Sequence, residues 1–175
     1  EKGKVSGTTR GNAYHRVMEL LDFANCEDVQ SVLEYMQVQV KEKRLDEEYF
    51  KLIRKDKLRK FLQSDLAARM KKADASNKLY REQPFVLGLA ANRVEETFPA
   101  DEKVLIQGII DAYFEEDGQI VLVDYKTDVI KSSESLIKRY KTQVEYYKEA
   151  LEKLTGKKVK ESILYSFALN KEVYV

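Results

Sequence analysis

The chain has 175 residues, 43% hydrophobic and 35% charged, which is the makeup of one soluble globular domain with a highly charged surface. No apolar run approaches the roughly 20 residues that a membrane span needs, and nothing at the start reads as a signal peptide. The one cysteine, Cys26, excludes an internal disulfide, a cysteine-based zinc site and an iron–sulfur cluster, so a reducing cytoplasm is the expected setting.

A start at Glu1 rather than Met suggests a piece cut from a longer chain. The net charge of +1 hides an asymmetry: between Lys51 and Arg81 eleven basic residues stand against three acids, a net of +8, leaving −7 for the rest. Such a face suits a polyanion, a nucleic-acid backbone included. A solvated lysine-rich helix surface would give the same count.

Residues 8–22 read as a short helix with Thr8 or Thr9 as N-cap and Ala13, Val17, Leu20 and Leu21 on one apolar face. His15 is the only histidine; by itself, a lone helical histidine reads as a surface or packing residue. From 27 to 74 the pattern is helical: Val29 to Val40, a short piece around Tyr49–Ile53, and one or two more through Leu58, Phe61, Leu66 and Met70. The period changes to two between Lys78 and Leu89, where Pro84 argues for an edge strand or a bulge. Glu82 in that strand is either a third acid near the site described next or a solvent-facing partner of Arg81.

Val104 to Asp128 reads as two apolar strands joined by Asp117-Gly118, a two-residue hairpin signal. With those two residues as the whole loop, Asp111 falls opposite Asp124. Period two puts Leu105, Gln107, Ile109, Asp111 and Tyr113 on one face and Ile120, Leu122, Asp124 and Lys126 on the matching one. Facing carboxylates about 5 Å apart repel, so Asp111, Asp124 and Lys126 read as a site for a divalent cation and a phosphate. Gly108 marks a bulge or a close backbone approach.

A helix capped by Ser132 or Ser133 then runs to about Thr155, with Gly156 ending it. Leu136, Tyr140, Gln143, Tyr147, Leu151 and Leu154 form its buried stripe. Gln143 is the misfit, either a stripe-edge residue or a functional amide. Lys160–Leu169 reads as a strand, and 172–175 as the start of another. Thr155-Gly156-Lys157 lacks the upstream glycine and the following hydroxyl of a phosphate-binding P-loop.

Taken in order, GNAYH (11–15), REQPF (81–85), GIID (108–111), DYK (124–126) and QVEYY (143–147) resemble the RecB-type branch of the PD-(D/E)xK, or restriction-endonuclease-like, nucleases. The KTD after DY and the LYSFAL strand are most similar to the C-terminal nuclease domains of bacterial helicase–nuclease subunits. The resemblance implies an α/β fold: a small mixed β-sheet flanked by helices, residues 1–175 forming one nuclease domain with 27–74 as a helical insertion and 78–175 as sheet core and flanking helix. It implies a Mg²⁺- or Mn²⁺-dependent deoxyribonuclease acting on single-stranded ends during double-strand break processing. Helicase domains of a parent chain and an AddB-type subunit would be its partners.

It also assigns roles. His15, Asp111, Asp124 and the main-chain carbonyl of Tyr125 would bind metal, and Lys126 would be the catalytic lysine. Gln143 and Tyr147 would support the site or touch DNA, and Glu82 matches an acid found upstream of the hairpin in many members. Lys126, beside two acids, should keep its proton and position water or steady phosphorane charge rather than act as a base. The alternative is a non-catalytic nucleic-acid-binding or docking module that kept the fold, with the basic stretch as its working surface.

Overall fold

The computed structural model describes residues 6–175; Glu1, where the chain starts, lies outside them. Helices α1 (Gly7–Leu20), α2 (Val29–Lys41), α3 (Glu47–Leu52), α4 (Lys55–Leu62) and α5 (Asp65–Ala75) precede the first strand. Strands β1 (Leu79–Ala90), β2 (Lys103–Glu116) and β3 (Gln119–Lys126) form an antiparallel meander. Helix α6 (Ser133–Thr155) crosses over to β4 (Val159–Ser166), which lies parallel to β3, and β5 (Lys171–Tyr174) returns antiparallel to β4. The five strands make one mixed sheet in chain order, with β1 at its edge as Pro84 requires.

Each face of the sheet carries its own apolar layer. Val17, Leu33, Phe61 and Met70 from the N-terminal helices pack on Phe114, Val123, Ile163 and Tyr165. On the other face Leu136, Val144 and Leu151 of α6 cover Tyr113, Ile120, Leu122 and Leu164. The first layer is pinned by aromatic contacts, Phe61 meeting Tyr165 edge-on at 4.9 Å. Because residues 27–74 bury side chains against this sheet, they belong to the same packed body as the strands.

Local signals act where the sequence puts them, with three shifts. The α1 cap is Ser6, whose hydroxyl accepts from Thr9 N at 3.1 Å, rather than Thr8 or Thr9. In α6, Ser132 caps and Gly156 closes at φ 67°, but Leu154 is 55% exposed and falls outside the buried stripe. Gly108 is not a bulge: it pairs in register with Phe85, and a Cβ there would stand 3.0 Å from Phe85 Cε1.

The hairpin forms as its turn residues dictate. Asp117 and Gly118 have φ of 54° and 76°, the two positive values of a type I′ turn. Pairing runs from Glu116↔Gln119 to Ala112↔Val123 and stops there. Beyond that point β2 stays with β1 while β3 stays with β4, so the sheet forks.

At the fork the alternation of β2 reverses, which corrects the single face expected for residues 105–113. Ile110 and Tyr113 both face the α6 layer, whereas Ala112 and Phe114 face the other, and Leu105 and Ile109 are exposed. The cause lies on β1. Glu82 adopts a left-handed φ of 49°, and the β1–β2 ladder passes from Arg81↔Ala112 to Gln83↔Ile110 without pairing Glu82 and Asp111. The residue count stays in step, yet inside and outside exchange. Asp111 sits at the seam.

Candidate active site

The fork leaves backbone groups of β3 without a strand partner. Continuing the hairpin register would set Tyr125 opposite Ile110, and the pair would exchange both main-chain bonds. Two side chains take those bonds instead. Tyr125 N–H donates to Asp111 Oδ2 at 2.8 Å, and His15 Nε2–H donates to Tyr125 O at 2.8 Å. A carbonyl oxygen only accepts, so a hydrogen bond here uses the tautomer with its proton on Nε2. His15 Nε2 also stands 3.3 Å from Asp111 Oδ2. The helical histidine that reads as a bystander by itself therefore meets the hairpin.

Asp124 precedes Tyr125 on β3 and is 3% exposed. Lys126 Nζ forms an ion pair with Asp124 Oδ2 at 2.6 Å, and that buried oxygen has no hydrogen-bond partner among the described residues. Burial first, and the neighbouring Asp124 second, push the Asp111 carboxyl up to about 9. Two carboxylates share a poorly hydrated space with a single ammonium beside them. The hairpin register ends at Ala112↔Val123, so the two acids are not a ladder pair, but Asp124 still makes ionisation of Asp111 costly.

Lys126 is held from three sides. Beside Asp124, it donates to Gln143 Oε1 at 2.9 Å, which accounts for the polar residue in the stripe of α6. Its Nζ also lies 3.8 Å from the ring centre of Tyr140, a cation–π contact. Tyr140 in turn donates its hydroxyl to Asp128 Oδ2 at 2.7 Å, and Arg139 Nη1 reaches Asp128 Oδ1 at 3.1 Å. Burial and this bond push the Tyr140 phenol up to about 12. Tyr140 and Asp128 are the site residues that sequence reasoning missed; their signal was the tyrosine's place one turn before Gln143 and the acid two residues past Lys126.

The remaining sequence-predicted residues surround this group. Tyr147 packs edge-on to Phe85 at 5.3 Å, and its phenol is pushed up by burial, then by Asp124 and Asp111. Glu82 lies on the α1 side: burial and then Glu19 raise its carboxyl, with His15 and Arg16 opposing. It is neither a direct partner of Asp111 nor an ion-pair partner of Arg81, which contacts Asp74 and the carbonyl of Leu21.

The PD-(D/E)XK nuclease superfamily matches residues 2–173. The chain belongs to that superfamily. PD-(D/E)XK nucleases generally use divalent metals, and the two buried carboxyl groups, with only the Lys126 ammonium beside Asp124, suit a cation-binding donor set. As placed, no group of three or more His, Cys, Asp or Glu side chains among the described residues converges to hold a metal. The His15 Nε2–Tyr125 O hydrogen bond uses the Nε2–H tautomer, whereas ligation of a metal through that atom requires the proton on Nδ1.

Relatives of this PD-(D/E)XK domain share its whole length. An ATP-dependent helicase/nuclease of the AddA type from Lachnoclostridium phytofermentans is 36% identical over 100% of the chain, which covers 15% of that protein. Proteins of the same name from Clostridium perfringens and Clostridium kluyveri are 39% and 40% identical over 98% and 96% of the chain, and 14% of each is covered. The chain therefore spans about one seventh of the length of these relatives. No helix among the described residues is long and apolar enough to cross a membrane.

Proposed function

We propose that this nuclease domain is the metal-dependent DNA-cleaving unit of a bacterial AddA-type helicase–nuclease, hydrolysing phosphodiesters of single strands as double-strand breaks are processed in the cytoplasm. The observation that carries this reading is the fork, where Asp111, Asp124, His15 and the Tyr125 carbonyl meet beside Lys126. Residues 1–175 act as one domain, with 27–74 packed onto the sheet as its helical insertion. Helicase domains of the parent chain would deliver the strand, and an AddB-type subunit would be the second partner.

His15, Asp111, Asp124 and the Tyr125 carbonyl would hold Mg²⁺ or Mn²⁺. Carboxylate and carbonyl oxygens favour the first, and an imidazole extends the fit to the second. A bound divalent cation would neutralise the paired acids, polarise the scissile phosphate and lower the pKa of an attacking water. Lys126 presents a fixed ammonium, held by Gln143 and Tyr140, to position that water and to steady negative charge in the transition state. Tyr147 closes the α6 side of the site, and Glu82 supports the His15 side through charge.

The test is cleavage of end-labelled single- and double-stranded DNA, and of RNA, with and without Mg²⁺ or Mn²⁺. Lys126→Ala and Asp111→Ala should abolish cleavage while circular dichroism stays that of the parent chain. Saturating metal, at about 100 times its Kd, should stabilise the parent chain by about 2.7 kcal/mol and leave Asp111→Ala unshifted in a thermal melt. Undiminished cleavage by both variants removes the proposal. DNA binding without turnover in any divalent metal would instead support the non-catalytic module.

A further inference from the structure

A second cluster of positive charge lies at the same end of the sheet. α1 passes from it to the fork: Arg10 and Tyr14 line a cavity of about 190 Å³, and His15 follows immediately. Thr127, next in chain after Lys126, forms the cavity's inner wall, and its Oγ1 would stand 3.2 Å from a Cβ on Gly11. Arg54 and Lys57 come from the start of α4 and Ala168 from just past β4. Val129, 85% exposed, stands at the mouth.

The cations are not equally committed. Arg54 is forked onto Asp56 at 3.0 and 3.1 Å. Lys57 Nζ donates one bond, to Ala168 O at 3.1 Å, and forms no ion pair among the described residues, although Asp56 feels its charge. The Arg10 side chain makes no ion pair or hydrogen bond among the described residues. The cavity has room for several waters, enough for a phosphate with part of its hydration shell. Thr127 follows Lys126 in the chain and Tyr14 precedes His15, so the cavity lies on the α1 side of the fork, against the neighbours of two site residues. The basic stretch noted in the sequence thus reaches the active site through Arg54 and Lys57, while Arg69 is consumed by Glu116 and Glu161.

We infer that Arg10 and Lys57 form a subsite for an internucleotide phosphate of single-stranded DNA, next to the one being cleaved. This rests on the nuclease reading for its substrate class, but not for its measurement. Each side chain adds a phosphate contact, releases a counterion and carries no base information. Arg54, already neutralised by Asp56, shapes the wall and adds little charge.

The experiment is fluorescence anisotropy of a labelled single-stranded oligonucleotide on this chain, with divalent metal left out, across a salt series. Arg10→Gln and Lys57→Gln should each lower the slope of log affinity against log salt by about 0.7, and together by about 1.4. Lys57→Arg, which keeps the charge, should hold the parental slope. In cleavage assays KM should rise in both Gln variants by a larger factor than kcat falls. Unchanged slopes in Arg10→Gln and in Lys57→Gln overturn the subsite even if cleavage is vigorous. A reduced slope in a chain that cleaves nothing leaves the subsite standing and sinks the nuclease reading instead.

Discussion

Tyr140 offers a test of how Lys126 is aimed. Its ring lies 3.8 Å below the ammonium, and its hydroxyl is anchored on Asp128 at 2.7 Å. With the Lys126 side chain only 11% exposed, the cation–π contact is worth about 1–2 kcal/mol. The anchor, a hydrogen bond to a charged group, adds about 1.5 kcal/mol, the lower bound because the Asp128 side chain is 22% exposed and shared with Arg139. Tyr140→Phe keeps the ring and loses the anchor; Tyr140→Leu loses both. If half of the anchor's worth reaches the transition state, kcat/KM should fall about threefold in Phe. In Leu a further 1–2 kcal/mol is lost, for a total drop of roughly 20- to 100-fold. Initial rates on an end-labelled single strand in Mg²⁺, alongside melting curves for each variant, give the comparison. Equal rates for Phe and Leu, or a Leu variant as fast as the parent chain, would refute the idea that the ring positions the lysine.

Gly108→Val should destabilise the domain by about 1–3 kcal/mol in urea titrations, because its Cβ meets Phe85 Cε1 at 3.0 Å while that ring is packed against Tyr147. Parental stability would show that the Phe85 ring yields freely. Glu116 tests the pH dependence of folding: the Arg69 guanidinium and then Lys160 hold its carboxyl at about 2, below the ordinary value of 4.5. A depressed folded-state value gives stability that is present above 4.5 and lost as pH falls from there through about 2. After discounting for its partial exposure, Glu116→Gln should cost about 1 kcal/mol at pH 7. The gap to the parent chain should narrow at pH 3, and a gap that widens on acidification would contradict the sign.

Much of the site was legible because short-range chemistry governs it. Asp117-Gly118 permits one tight turn, and that turn fixes the register as far as Ala112↔Val123, one residue short of Asp111 and Asp124. Pro84 cannot donate to a ladder and marks the sheet edge correctly. His15 was different: nothing in its own helix points to the fork, and only the order of motifs along the chain singled it out. The phase reversal was invisible, because a glutamate gives no warning that it will adopt φ 49°. Tyr140 was hidden for another reason. Its ring satisfies the apolar stripe of α6, so helical periodicity explains the residue without its hydroxyl or the lysine above it. Leu154 shows the converse, an apolar residue at the right spacing that lies past the end of what the sheet covers.

The Tyr125 peptide groups meet side chains only because β2 and β3 part company after Ala112 and Val123. One additional rung of strand pairing would hand Tyr125 N–H and C=O to Ile110, evict the imidazole and turn the Asp111 carboxylate elsewhere. The domain's chemistry is therefore lodged in an unfinished zipper. Substitutions that make this sheet more regular, by returning residue 82 to an ordinary extended conformation, would gain backbone order at the expense of the reactive centre.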